Sequence, residues 1–121
     1  MTYFYYIASD IELTPETYKE QQLYFERSNE RIKGFDFPVQ IEIDNGINTK
    51  EDVEVLLKYI YEKADNHKRC TFQIAKLVNS NRVPFKVLEK NQVLLHKIKS
   101  SEELLLPEGS LLTIKKVPVV Y

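Results

Sequence analysis

The chain is expected to fold as an α+β protein, with a mixed sheet of about five strands carrying one helix on one face in two layers. Three stretches lead there: an alternating strand at 37–43, a capped amphipathic helix at 49–66 and a β-rich run at 70–78. Together they form a βαβ-like unit.

In the first, Val39, Ile41 and Ile43 alternate with Gln40, Glu42 and Asp44, which gives one buried and one wet face. Pro38 has no N–H and suits a strand start or an edge. Asp44-Asn45-Gly46 is a turn signal. In the second, Thr49 is an N-cap and Asp52 its capping-box partner. Val53, Leu56, Leu57, Ile60, Tyr61 and Ala64 fall on one helical face. Glu54 and Lys58 form an i,i+4 pair of favoured polarity. In the third, Phe72 and Ile74 share one face of a strand, and Ala75 and Leu77 the other. The short connections fit a crossover, and the sequence leaves parallel and antiparallel placements of its two strands open.

The other elements follow in chain order. Thr2–Ala8 reads as a strand with aromatic residues on both faces. It is either a central strand covered on both sides or one that presents a face to a partner. Thr14 and Pro15 look like the N-cap and first residue of a helix. Thr17–Arg31 is rich in Glu, Gln and Lys, which favours helix over its first part, with a short strand at 21–26 as the rival reading. Val83–Leu88 reads as a strand, Lys90-Asn91 as a hairpin tip and Gln92–Ile98 as the return strand, with a helix over 92–99 the alternative. Ser101–Leu106 holds one helical turn. Pro107-Glu108-Gly109 fits a type I turn with proline at its second position. Ser110–Val117 is the last strand.

A length of 121 residues is that of one domain spanning 1–121. The 43% apolar and 29% charged fractions are ordinary for a globular protein. No apolar run is long enough for a membrane span, and the N-terminus is a poor signal peptide. A single cysteine excludes an internal disulfide, which points to the cytoplasm.

The net charge of −1 conceals an uneven distribution. Residues 1–62 hold 13 acids and six bases, whereas residues 63–121 hold five acids and 11 bases. Either these charges pair within the fold, or the protein has an acidic and a basic face and associates head to tail.

Signatures of catalysis are missing. The sequence has no glycine-rich phosphate loop, no His-Glu-x-x-His, no Cys-x-x-Cys and no Gly-x-Ser-x-Gly. No catalytic residue, metal or cofactor is expected. His67 and Cys70 have the spacing of two zinc ligands, but only His96 is left as a further soft ligand, so an exposed histidine and a buried cysteine are the simpler reading. Asp10 and Glu12 follow the aromatic strand and are read as solvated loop charges before acid–base groups. The opening Tyr3-Phe4-Tyr5-Tyr6-Ile7-Ala8-Ser9 resembles the start of small proteins of Gram-positive bacteria, a resemblance that implies no activity.

Two functional expectations remain. The first is a non-enzymatic protein-interaction or regulatory module, binding a protein partner or itself through Tyr3, Tyr5, Tyr6, Tyr24 and Phe25. The second is nucleic-acid binding through Lys68, Arg69, Arg82, Lys86, Lys90 and Lys97 of the basic half, with aromatic residues nearby. A small enzyme with a dispersed site comes third.

Overall fold

A computed structural model of the chain describes residues 2–44, 47–79 and 89–118. Its strands are β1 (Thr2–Ser9), β2 (Glu16–Tyr18), β3 (Leu23–Arg27), β4 (Val39–Asp44), β5 (Cys70–Asn79), β6 (Glu89–Leu94) and β7 (Ser110–Lys116). The single α-helix among the described residues, α1, spans Lys50–Ala64, and short 3-10 turns span Leu95–Lys97 and Ser101–Leu104. The strands form one mixed sheet in the order β2-β3-β4-β1-β5-β7-β6. The α+β class is as expected; the sheet has seven strands where about five were expected.

Strand β1 sits between β4 and β5 and is antiparallel to both. The two strands joined by α1 are therefore parallel to each other, with β1 between them. This makes the expected βαβ unit a split one.

Both faces of β1 are covered. Tyr5 and Ile7 face α1 and join a core with Ile41, Ile43, Leu56, Tyr59, Ile60, Phe72, Ile74, Leu112 and Ile114. Tyr6 and Ala8 lie on the opposite face with Ala75, Leu77 and Leu111, under Ile32, Phe35 and Phe37 of the loop before β4. The division of β5 into Phe72/Ile74 and Ala75/Leu77 is the one its sequence predicts. The Asp36 N–H donates to Gln73 Oε1 at 2.7 Å, and Gln73 Nε2 donates to Asp36 Oδ2 at 2.8 Å, which ties the loop down. In β4 the alternation is broken by a bulge: Ile7 faces Ile41, but Ala8 faces Val39. Val39 thus joins the second face. Gln40, which has no partner on β1, turns its side-chain amide onto the 9–13 loop, donating to Ser9 O and Ile11 O and accepting from Leu13 N–H.

The capping box of α1 forms as expected, with Thr49 Oγ1 accepting from Asp52 N–H at 3.2 Å and Asp52 Oδ2 accepting from Thr49 N–H at 3.0 Å. The buried stripe is Val53, Leu56, Tyr59, Ile60 and Ala64, so Tyr59 replaces the expected Tyr61. These residues flank Ile60 at equal angles, and tertiary contacts decide between them. Tyr59 stacks 4.5 Å from Phe25 and donates to Thr14 O at 2.7 Å, whereas Tyr61 remains 46% exposed. Lys58 lies 3.9 Å from Glu62 rather than pairing with Glu54.

The helix expected in the first part of 17–31 is a β-hairpin, β2–β3. Leu23 and Phe25 are buried while Tyr24 and Glu26 are exposed, a period of two that overrides the helical propensity of Glu, Gln and Lys. Thr14 and Pro15 start no helix. The hairpin turns over Lys19–Gln22, with the Gln22 N–H donating to Lys19 O and Gln22 at a φ of 55°.

Lys90 and Asn91 are not a hairpin tip. They lie within β6, which runs parallel to β7 with Lys90 opposite Leu111 and Asn91 opposite Leu112. The strand ends at Leu94 and passes into a 3-10 turn, so the strand and helix readings of 92–98 were each right in part. The expected strand Val83–Leu88 lies outside the described residues. Ser101–Leu104 is the expected helical turn, of 3-10 type and capped by Ser100. The turn before β7 is closed by Ser110 N–H to Pro107 O, which puts Gly109, at a φ of 81°, in third position. That positive angle marks type II instead of type I and favours glycine there.

Two tyrosine hydroxyls contrast sharply. Tyr5 Oη donates to Leu104 O at 3.0 Å and accepts from Leu106 N–H at 2.8 Å, joining β1 to the segment before β7. Tyr18 Oη is buried with no hydrogen-bond partner among the described residues. Tyr5→Phe should cost about 1–3 kcal/mol by orphaning a buried N–H, while Tyr18→Phe should be neutral or stabilising. Urea unfolding of the two variants checks this; equal effects would contradict it.

Candidate interaction surface

The sheet order sorts the sequence in space. Strands β1 to β4 occupy one side of the β1–β5 seam, and β5, β6 and β7 the other. The strands of residues 1–44 and those of residues 70–116 therefore build opposite ends of the sheet, and α1 crosses over it to meet the 95–104 segment of the second end. Among the described residues one ion pair joins the two sequence halves, Lys63 with Glu16 at 2.7 Å.

The acidic end is densest on the face away from α1. Glu26 lies opposite Glu42 in the β3–β4 ladder, and Asp44 follows on the same face. Burial pushes the Glu42 carboxyl above its ordinary value, and the charges of Glu26, Glu30 and Asp44 push it the same way. Among the described residues none of these four carboxylates is paired with a base; the ion pairs there are Lys58–Glu62 and Lys63–Glu16. Beneath them, Tyr6 is only 2% exposed, and burial followed by Glu42, Glu30 and Asp44 raises its phenol. At the other end Lys90, Lys97 and Lys99 are exposed, and Lys115 and Lys116 are half-buried.

The residues singled out for protein contacts separate into two groups. Tyr5, Tyr6 and Phe25 are buried core residues, at 2%, 2% and 1% exposure. Tyr3 and Tyr24 reach the surface, at 36% and 49%. Lys76 Nζ stands 5.1 Å over the Tyr3 ring. Tyr24 lies opposite Thr17, two residues before Glu26 and on the same face, so it projects beside the acidic cluster. Tyr61 and Leu105 are also exposed, and the sequence reading missed both as surface groups. Tyr61 closes one side of a cavity of about 400 Å³ with Ala64, Asp65, Leu95, His96, Lys116 and Val117. No sequence signal marks it, because it joins the end of α1, the turn after β6 and the end of β7.

Of the residues expected to contact nucleic acid, Lys68, Arg69, Lys90 and Lys97 are exposed, and Arg82 and Lys86 lie outside the described residues. Lys68 and Arg69 occupy the α1–β5 connection, and Lys90 and Lys97 the far edge of the sheet.

Cys70 is buried in the core, and its thiol is raised first by burial and then by Asp10. His67 is exposed past the end of α1. No group of three His, Cys, Asp or Glu among the described residues is placed to hold a metal ion. Asp10 Oδ1 accepts from Thr71 N–H at 2.9 Å, a backbone tie, and Glu12 is exposed. No helix among the described residues is long and apolar enough to cross a membrane.

No protein-family model, curated protein or solved structure matches this chain.

Two pH dependences follow. Glu42 holds its proton more tightly folded than unfolded, so its contribution to stability is full below the ordinary value of 4.5 and lost as pH rises through the raised folded value. Glu42→Gln should therefore raise the melting temperature at neutral pH and leave it unchanged near about pH 4; an equal gain at both would contradict this. Tyr5 and Tyr18 are each pushed up, chiefly by burial, to about 12. Stability from them should be lost as pH rises from about 10 toward 12, with the phenolate absorbance of the buried tyrosines appearing together with unfolding. Complete phenolate titration of the folded chain at pH 10 would contradict it.

Proposed function

We propose that this chain is a non-enzymatic protein-interaction module that recognises its partner by charge and anchors it through exposed aromatic side chains. The observation that carries this reading is the sheet order, which keeps an acidic and a basic sequence half on opposite sides of the β1–β5 seam. Opposed surface charge speeds and orients encounter. Affinity comes from a few buried anchors, and tyrosine is among the residue types that most often supply them. Tyr24, half exposed beside Glu26, is such an anchor, and Tyr3 is a second exposed aromatic in the same half.

Nucleic-acid binding through Lys68, Arg69, Lys90 and Lys97 is the second reading, favoured by their exposure within the basic half. It rests on phosphate attraction alone. Tyr5 and Tyr6 of β1 are in the core and offer no face for base stacking.

One preparation separates the two readings. The chain is purified natively at moderate salt, and the co-eluting material is identified by ultraviolet absorbance ratio and mass spectrometry. A stoichiometric protein, lost on Tyr24→Ala with the melting temperature unchanged, is the expected result. Nuclease-sensitive material released by salt would replace this reading with the second. A partner retained by Tyr24→Ala would remove Tyr24 from the contact.

A further inference from the structure

The exposed aromatic and the cavity described above lie in opposite halves of the sheet. Tyr24 stands on β3, next to the β2 edge, among Glu26, Glu42 and Asp44. The cavity lies in the basic half, where the turn following β6 meets the end of β7 and the last turn of α1. Its walls are the Tyr61 ring, Ala64, Leu95 and Val117, with Lys116, His96 and Asp65 beside them. Lys116 Nζ is fixed there by donating to Ala64 O at 2.8 Å, and Tyr61 Oη donates to Leu95 O at 3.4 Å, so the walls are held in place. At about 400 Å³ the cavity falls at the small end of the roughly 300–1,000 Å³ typical of ligand pockets, room for one aromatic side chain.

We propose that the occupant of this cavity is Tyr24 of a second copy of the chain, with the acidic end of one molecule docked on the basic end of the next. This deepens the interaction reading above and rests on it. An aromatic anchor suits a cavity walled by Tyr61, Ala64, Leu95 and Val117, and Glu26 beside the one would meet Lys116 beside the other, with Lys97 next in sequence to the lining His96. The two patches are different surfaces of one molecule, so the contact is heterologous: each docked pair leaves one anchor and one cavity unused. Such contacts grow into rings or open chains and do not stop at a two-fold dimer.

Sedimentation velocity on the full chain tests this at about 0.01 M and about 1 M salt, where the Debye length is roughly 30 Å and 3 Å. Wild-type protein should grow beyond a dimer with concentration at low salt and dissociate at high salt. Tyr24→Ala should weaken association by about 30-fold. Two double variants carry the decisive arm. Tyr24→Ala/Glu26→Lys removes the anchor end, and His96→Glu/Lys97→Glu removes the cavity end. All four residues are exposed, and thermal melting confirms that each variant folds. Each alone should be monomeric, and their equimolar mixture should form a one-to-one dimer and nothing larger, because each keeps the end that the other lacks. A mixture that stays monomeric overturns the proposal, as does wild-type growth that halts at a dimer. A monomeric wild type that still binds a different protein through Tyr24 overturns self-association and leaves the interaction reading standing.

Discussion

Everything in this fold depends on β1 being paired along both edges and covered on both faces. Its neighbours β4 and β5 are both antiparallel to it. A chain that leaves β4 must therefore pass over β1 to start β5 in the same direction, and α1 makes that passage. The helix buries Val53, Leu56, Tyr59 and Ile60 against the sheet because the crossover leaves them there. The opposite face has no helix among the described residues, so the 28–38 loop covers it, held by the paired hydrogen bonds of Asp36 and Gln73. Tyr5 extends the constraint to the far side through its two bonds to Leu104 and Leu106.

The same constraint organises the charge. The N-terminal strands collect on one side of β1 and the C-terminal strands on the other. Of a composition close to neutral, the strands on one side of β1 carry an excess of acids and those on the other an excess of bases. Carboxylates crowded on β3 and β4, with Glu30 nearby, remain unneutralised among the described residues and raise the proton affinity of Glu42. Such crowding of like charge costs stability. Tyr24 projects on the same face as these carboxylates, and the cavity beside Lys116 lies on the other side of the β1–β5 seam.

Local physics made much of this legible in the sequence. The Thr49–Asp52 capping box, most of the apolar spacing of α1, the alternation of β4 from Ile41 to Asp44 and the two-faced pattern of β5 are each set by neighbours in sequence. Long-range contacts decided the rest. Helix-favouring composition masked the β2–β3 hairpin, although Leu23 and Phe25 alternating with Tyr24 and Glu26 carried its signal. Tyr59 and Tyr61 are equivalent on a helical wheel, and only the docked 14–18 segment and Phe25 distinguish them. Parallel pairing of β6 with β7 leaves no mark on the local pattern of 89–94. Of the proposed contact residues, Tyr3 and Tyr24 lie at the surface, while Tyr5, Tyr6 and Phe25 are in the core. The same alternation that exposes Tyr24 buries Phe25, so strand assignment and site assignment at 23–27 stood or fell together. The cavity joins three segments distant in sequence and had no local signal.

The measurement that tests the central claim most directly is paramagnetic broadening of the amide signals by small cationic and anionic probes at low salt. The cationic probe should broaden β3, β4 and the Glu30 loop selectively. The anionic probe should broaden β6, the turn that follows it and the end of β7. Equal broadening of both sets by both probes would mean that the charges cancel locally, and the polarised surface on which the proposed function rests would not exist.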